Sequence, residues 1–358
     1  MSKEWSFFDH VLKAIAKPRP GDPRSPTLWP SEATAEVINE YGEKEVLGKC
    51  RRSTFFRYVK AHTNYFVEEQ DDWKELLAEI DEKYRSVDDY MRFIWAQGEL
   101  YEEYLIAKAK ETGVFITEQA PIYIRSHNIS GKRDIEIINP ETGKYVIAEA
   151  KSVYGYGANV VLGTDADRNP RRRDVTPKMG TPRDSNLMQI GIYHWWSASA
   201  DSAYEESRLL YGARDNGRHG EYQIKTVHVG DSETYIYYRG IFPVETAWVQ
   251  SPITIQNILS QYDYVMEHFH NKQIPARDFD LIYDEHRLKQ EYERGNLNRT
   301  ETKQYEKVIA RREENAELVA DGKKPKREYK QIEKGYFMCR FCSYQHLCYD
   351  KSDNPREL

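Results

Sequence analysis

Long apolar runs are absent from this sequence of 358 residues. A membrane-spanning helix needs about 20 consecutive apolar residues, and no stretch approaches that length. Residues 1–18 carry acidic side chains and lack the apolar core of a secretion signal. We therefore expect a cytoplasmic protein with no membrane partner.

A basic excess and a nucleotide-binding loop are also lacking. The formal net charge is −6, whereas a protein that coats nucleic acid by bulk electrostatics carries surplus positive charge. No Gly-x-x-x-x-Gly-Lys-Ser/Thr loop occurs, so we expect no intrinsic helicase motor. Contacts with DNA must then be local, and any unwinding must come from a separate helicase or recombination protein.

The residues that are present favour a globular α/β fold. Hydrophobic residues make up 39% and charged residues 31% of the chain. The periodicity predicts a helical N-terminal region (1–87), a core of helix, three strands, helix and further strands (88–284), and a charged helical arm with cysteines (285–358). The predicted helices are 30–41, 50–58, 88–112, 186–197 and 254–271, and the predicted strands are 120–126, 133–138, 145–151, 208–211, 222–228 and 234–239.

The predicted strands 133–138 and 145–151 are joined by a short turn, which suits an antiparallel hairpin with a four-residue loop, Pro140 to Gly143. Pairing Asn139 with Lys144 across the loop places Asp134 opposite Glu149. Opposed side chains have Cβ atoms about 4.5–5.5 Å apart, and like charges there destabilise a sheet. A cation between the two carboxylates would remove that cost.

Glu149 and Lys151 share one face of their predicted strand because side chains alternate along a strand. Carboxylates are hard oxygen ligands that suit Mg²⁺ or Mn²⁺, and an adjacent ammonium orients water or offsets developing charge. Asp134, Glu149 and Lys151 therefore predict a site for metal-assisted phosphodiester hydrolysis. The alternative interpretation is a surface hairpin whose charged side chains are simply solvated.

Asp134, Glu149 and Lys151, followed by Gln189 and Tyr193 on a predicted helix, resemble the PD-(D/E)XK nuclease superfamily in its RecB-like branch. Gln189 and Tyr193 are spaced i, i+4 and share one helix face. In that family such a helix supports the site and the DNA. The resemblance implies a restriction-endonuclease-like core, in which helices flank a central mixed sheet.

The resemblance covers residues 98–211 and implies a role for each matched position. Asp134, Glu149 and the backbone carbonyl of Ala150 would hold the metal. Lys151 would assist the attacking water.

The first motif departs from the family's common pattern. A glycine is often followed four residues later by a histidine, whereas here Gly98 is followed by Glu102. A glutamate can ligate a metal, so the resemblance implies Glu102 as a further ligand. Glu99 and Glu103 compete for this role, and an exposed acidic helix face is the alternative.

Only four cysteines occur, and three of them lie within ten residues. Cys339, Cys342 and Cys348, with Cys50 as the remaining thiolate, form a ligand set for Zn²⁺ or an iron–sulfur cluster. His346 offers zinc another fourth ligand. The residues by themselves do not decide between Zn²⁺ and an iron–sulfur cluster.

One cysteine before the core and three after it resembles the iron–sulfur nucleases, which include AddB-type and CRISPR-associated exonucleases. This resemblance implies that Cys50, Cys339, Cys342 and Cys348 hold a 4Fe–4S cluster that joins the N-terminal and C-terminal additions. Such a cluster would be structural, since iron held by four thiolates offers no exchangeable water.

A basic loop lies between the acidic strand and the predicted helix that carries Gln189. Arg171, Arg172 and Arg173, with Lys178 beyond them, would bind phosphates beside the carboxylates. A solvated loop with no such role is the alternative.

Together these features predict a metal-dependent deoxyribonuclease, an exonuclease acting on DNA ends or single strands in recombination, repair or DNA processing. A second hypothesis is a partner-directed endonuclease in CRISPR adaptation or mobile-element defence. A third is a non-catalytic DNA-end-binding protein with a structural cluster, which would have no need of the acid and lysine set.

Overall fold

The structure, a computed structural model, describes residues 26–83, 89–163, 179–230 and 232–349. The chain divides into two compact units, the first ending at Ala276 and the second beginning at Arg277. The three regions predicted from composition, with boundaries after residues 87 and 284, stay a prediction.

A short 3-10 helix (Pro30–Glu32) near the start of the first unit is followed by a β-hairpin, so the helix predicted over 30–41 is wrong beyond its first turn. β1 (Thr34–Ile38) pairs antiparallel with β2 (Lys44–Gly48). Contacts from outside the segment hold β1, since the Glu36 amide donates to Oδ1 of Asn257 at 2.8 Å. Such tertiary contacts override local helix propensity. The N-terminal region therefore mixes strands and helices.

The helices of the first unit include the long ones predicted from apolar spacing over 50–58, 88–112, 186–197 and 254–271. Gly113 has a φ of +73° directly after the second of these, as a left-handed helix end requires. The described helices are α1 (Arg51–Tyr65), α2 (Lys74–Lys83), α3 (Asp89–Thr112), α4 (Gly155–Leu162), α5 (Asp184–Ala200) and α6 (Ile255–His270).

A seven-stranded mixed sheet flanked by helices forms the centre of the first unit, which confirms the predicted α/β class. Neighbours in space follow chain order. The strands are β3 (Phe115–Ile124), β4 (Ile129–Ile138), β5 (Tyr145–Val153), β6 (Tyr204–Ala213), β7 (His219–Val229), β8 (Glu233–Phe242) and β9 (Val249–Thr254). β5 and β6 run parallel, and the other neighbouring pairs run antiparallel.

β5 is the strand that positions the predicted site. Helices α3 and α5 both pack against it. Val146, Ile147, Ala148 and Glu149 are consecutive and all buried, as expected for a strand covered on both faces. The sheet therefore places an acidic side chain inside the protein, where its charge must be met by nearby partners.

The second unit contains two charged helices in the region predicted as a helical arm. α7 (Glu285–Glu293) is followed by α8 (Arg299–Ala320), whose first turn is capped by the side chain of Asn298. A short helix, α9 (Phe337–Arg340), contains Cys339 and is followed by Cys342 and Cys348. None of the described helices in either unit is long and apolar enough to cross a membrane. A small apolar core of the second unit contains Tyr283, Leu288, Leu297 and Ile332.

Candidate functional site

The turn between β4 and β5 has the predicted four-residue loop. The Asn139 amide donates to the Lys144 carbonyl at 2.8 Å, and the Gly143 amide donates to the Asn139 carbonyl at 2.8 Å. The Asn139 side chain accepts from the Glu141 amide at 2.9 Å. Gly143 has a φ of +70°, which residues with a side chain rarely adopt. Local turn chemistry thus fixes the register of the hairpin.

The ladder between β4 and β5 ends at the pair of Ile135 and Ala148. One residue further, a side chain replaces the backbone acceptor: Oδ2 of Asp134 accepts a hydrogen bond from the Ala150 amide at 3.0 Å. Asp134 and Glu149 occupy the first pair of positions beyond the ladder. The predicted register is confirmed.

Glu149 is fully buried, with 0% of its surface exposed. Its Oε1 accepts from Lys151 Nζ at 2.5 Å and from Gln189 Nε2 at 2.7 Å. Its Oε2 is buried and accepts no hydrogen bond from an N–H or hydroxyl group within the described residues, and the Asp134 carboxyl lies within hydrogen-bonding reach of the Glu149 carboxyl. A buried acceptor without a partner costs about 1–3 kcal/mol. The N–H donors of the protein therefore bind only one of the two carboxylate oxygens of Glu149.

Burial dominates the electrostatics of the two acids. It raises the pKa of Glu149 to about 8 against the lowering effect of Lys151, and the Asp134 carboxylate adds to the rise. Burial also raises the pKa of Asp134, again opposed by Lys151. For Lys151, burial lowers the pKa, but the two carboxylates outweigh it and the net shift is upward. One ammonium thus faces two acids, and a second cation would favour their charged forms.

Glu102, on α3, is the predicted third carboxylate and is half-buried. Its Oε1 accepts from Gln119 Nε2 at 2.6 Å. Burial raises the pKa of Glu102 to about 7, and the charge of Asp134 makes the next largest contribution. The competing candidates Glu99 and Glu103 are exposed. Of the three acids, Glu102 is the half-buried one whose pKa responds to Asp134.

Gln119 is a neighbour of the site that sequence reasoning missed. It has a φ of +53° within β3, which is unusual for a residue with a side chain. The register of β3 against β4 also shifts between Phe115 and Thr117. No motif or periodicity marks such a residue, because its contact with Glu102 depends on how α3 packs on β3.

Gln189 and Tyr193 lie on one face of α5, as predicted. Gln189 Nε2 lies 3.5 Å from the Tyr193 hydroxyl, in addition to its contact with Glu149. Burial is the main cause that raises the pKa of Tyr193, so this hydroxyl stays neutral. A Cβ atom at Gly131 would lie 2.9 Å from the hydroxyl oxygen, which explains the glycine at this position of β4.

Among the described residues, no group of three or more His, Cys, Asp or Glu side chains is arranged to hold a metal ion. The acids instead contact the amide and ammonium donors given above. Ala150, whose carbonyl is a predicted ligand, lies opposite Leu210 in the ladder between β5 and β6. Ligation of Mg²⁺ or Mn²⁺ by Glu102, Asp134 and Glu149 stays a prediction.

Three cysteines lie in a short segment of the second unit. The Cys342 amide donates to the Cys339 carbonyl at 3.3 Å, and Arg277 Nη1 donates to the Cys348 carbonyl at 3.4 Å. Burial raises the pKa of the Cys339 thiol to about 12, and the other two thiols add to the rise. Cys50 lies in the first unit, directly before α1. The described residues include all four cysteines and contain no disulfide; joint ligation of a cluster stays a prediction.

The candidate DNA-contact residues Arg171, Arg172, Arg173 and Lys178 lie outside the described residues. Within the described residues, the site therefore consists of the acids and their amide and ammonium partners. Contact of the basic loop with phosphates stays a prediction.

No family model, curated protein or solved structure matches this chain. Its likeness to the PD-(D/E)XK nucleases accordingly rests on the residues quoted from the sequence. The carboxylate site, defined here as Glu102, Asp134, Glu149, Lys151 and Gln189, brings together three acids whose pKa values are raised by burial.

Proposed function

We propose that this protein is a metal-dependent DNA nuclease of the PD-(D/E)XK type, RecB-like in its motifs. One observation carries the proposal: the fully buried Glu149 has one carboxylate oxygen that no N–H or hydroxyl group of the described residues meets, and it lies beside a second, half-buried acid, Asp134. Such an arrangement is costly in a protein that only needs to fold. Perturbed acids of this kind cluster at functional sites.

The residues present fit a hard divalent cation. Asp134 and Glu149 supply carboxylate oxygens, Glu102 adds a third, and the Ala150 carbonyl is the proposed backbone ligand. A bound Mg²⁺ or Mn²⁺ would polarise a phosphoryl oxygen and lower the pKa of bound water. The unpartnered Oε2 of Glu149 is the oxygen we assign to the cation, since Oε1 already accepts two hydrogen bonds.

The remaining residues position the acids and manage charge. Gln189 donates to Glu149 Oε1 and so fixes the orientation of that carboxylate. The Lys151 ammonium contacts the same oxygen and stays protonated because its pKa is raised. Lys151 would orient the attacking water or offset the negative charge that develops on the phosphate.

We also propose a structural 4Fe–4S cluster held by Cys50, Cys339, Cys342 and Cys348, with zinc as the alternative. Support comes from the second unit, where burial and two neighbouring thiols raise the pKa of Cys339. Binding of a thiophilic metal would favour the thiolates that burial now disfavours. Zinc would need only the three nearby cysteines and His346.

The proposed substrate is DNA, cleaved from ends or as single strands during recombination, repair or DNA processing. A separate helicase would supply unwinding, because the sequence has no phosphate-binding loop of its own. The test is incubation of end-labelled single-stranded and double-stranded DNA with Mg²⁺, with Mn²⁺, or with a chelator. Cleavage in the chelator would contradict the mechanism.

A metal-binding test is independent of turnover. At a concentration 100 times its Kd, Mn²⁺ should stabilise the folded chain by about 2.7 kcal/mol, which raises Tm by several degrees. Glu149→Gln should lose this increase. Glu136→Gln is the matched control, since Glu136 is a buried β4 carboxylate already bound by Arg133 and Tyr204. An increase retained in Glu149→Gln would remove Glu149 from the metal site.

A further inference from the structure

A wide cleft lies beside the carboxylate site within the first unit. Its volume is about 1070 Å³. It is bordered by the segment before β1, by α1, and by the first residues of β4 with the facing part of β3. Aromatic rings recur along its walls: Trp29, Tyr58, Tyr65, Phe66, Tyr123 and Tyr193. We call it the aromatic cleft.

Two of these rings are exposed. Tyr65 is 58% exposed and Tyr123 is 46% exposed. In β3, the neighbours Ile122 and Ile124 are buried, so Tyr123 stands on the solvent side of the strand. Large rings left in solvent around a concave surface mark a binding site more often than scattered apolar residues do.

The charge of the cleft contrasts with that of the chain. The chain has 58 acidic residues, yet none of the described residues that line the cleft is Asp or Glu. Lys132 lines it, is exposed, and forms no ion pair with a described residue. Thr27 and Ser130 add hydroxyl groups. A lining with a cation, hydroxyls and no acid suits a polyanion.

The cleft adjoins the carboxylate site through one residue of its wall, Tyr193. Tyr193 lines the cleft and lies 3.5 Å from Gln189 Nε2, which donates to Glu149 at 2.7 Å. The wall of the cleft at Tyr193 is therefore two side-chain contacts away from the buried glutamate.

We propose that the aromatic cleft binds single-stranded DNA through its unstacked bases and leads the strand to the carboxylate site. The choice of ligand follows from the rings, because base faces are occupied by neighbouring bases in a duplex and become available only in a single strand. Lys132 contacts the phosphates. This proposal rests on the proposed nuclease function and adds the surface that would select a single strand over a duplex.

The experiment measures binding without turnover. Fluorescence anisotropy with a labelled oligo(dT), in a chelator, compares the wild type with Tyr65→Ala/Tyr123→Ala. Loss of two stacking rings should raise Kd at least tenfold. The matched control is Tyr41→Ala, an exposed tyrosine in the turn between β1 and β2 that does not line the cleft. It should bind like the wild type, and all variants should keep their Tm.

An abasic oligonucleotide of the same length separates bases from phosphates. It should bind the wild type weakly, and the double variant should bind it no worse than the wild type does. Lys132→Ala should weaken binding of both oligonucleotides and reduce the salt dependence.

Equal binding of oligo(dT) by the wild type and the double variant would overturn the cleft proposal, and so would tighter binding of duplex than of single strand. The two proposals can fail separately. Ring-dependent binding without cleavage in Mg²⁺ or Mn²⁺ would leave the cleft and remove the nuclease. Metal-dependent cleavage whose KM the double variant does not change would do the reverse.

Discussion

The carboxylate site of the first unit and the cysteine segment of the second, Cys339–Cys348, use polar groups in different ways. In the carboxylate site, each acid accepts a hydrogen bond from its own strand or from a strand or helix packed against it. In the cysteine segment, burial and neighbouring thiols raise the pKa of Cys339, and the main polar contacts are between backbone groups. The first arrangement is organised by the protein chain, whereas the second would be completed by the metal that we propose for the cysteines.

The difference follows from distance along the chain. Asp134 and Glu149 belong to one hairpin, whose turn converts their spacing into a fixed register. Cys50 belongs to a different unit from the other cysteines, and no local rule relates the two. Predictions about the carboxylate site therefore concern chemistry, and predictions about the cysteine segment concern the presence of a ligand.

The largest expected effect is the loss of cleavage in Asp134→Ala, Glu149→Ala or Lys151→Ala. Each change removes part of one metal–water unit, so each should reduce cleavage of end-labelled DNA at least 100-fold, as an order of magnitude. Double changes should cost little more than single ones, because the parts act together. Glu136→Gln should retain cleavage. Substantial cleavage by any double variant would show that the acids are organised for stability alone.

The next effect concerns the cysteine segment. Cys348→Ser should lose iron, brown colour and several degrees of Tm. A cluster would close the long loop between Cys50 and Cys339 and so restrict the unfolded chain, which should add about 3–5 kcal/mol to the free energy of unfolding, in analogy with a disulfide. Protein purified without oxygen should contain iron and acid-labile sulfide in similar amounts.

A different outcome would identify zinc, and each of the two regions would then complete its site with residues of its own unit. Colourless protein with one zinc, unaffected by Cys50→Ser and lost in His346→Ala, would mean that the second unit completes its own site. The nuclease proposal would stand in that case, since cleavage depends on the acids of the first unit.

A smaller effect is expected from the basic loop. Replacing Arg171, Arg172 and Arg173 with Ala should weaken DNA binding and flatten the plot of log Kd against log salt by about two to three units. The Mn²⁺-dependent rise in Tm should persist, because the carboxylate site is intact. If affinity and slope are both unchanged, the loop is only a solvated surface segment.

The smallest effect concerns a buried group on α5 outside the carboxylate site. Burial lowers the pKa of His194 to about 4, whereas an unfolded histidine titrates near 6.5. Between these values the unfolded chain binds the extra proton, so stability is complete above pH 6.5 and falls toward pH 4. His194→Gln should reduce that fall by at most about 3 kcal/mol. Urea unfolding at pH 7, 5.5 and 4.5 measures it; a constant difference between the two proteins would assign the fall to other groups.

Local sequence was a good guide where short-range chemistry decides. The hairpin register, the end of α3 at Gly113 and the helix carrying Gln189 were all predicted. The error over 30–41 arose because β1 gains its partners from β2 and from Asn257, which the local sequence does not show. β9 escaped prediction because Pro252 weakens its strand pattern, and a proline is tolerated there on an edge strand.

The sequence by itself determined which acids and which lysine share the hairpin, because turn geometry and side-chain alternation act over a few residues. Only the tertiary structure decided that Glu149 is fully buried, that Gln119 contacts Glu102, and that a cleft of aromatic rings reaches the site through Tyr193. Burial and cleft shape arise from packing between elements far apart in the chain. No window of the sequence contains that information.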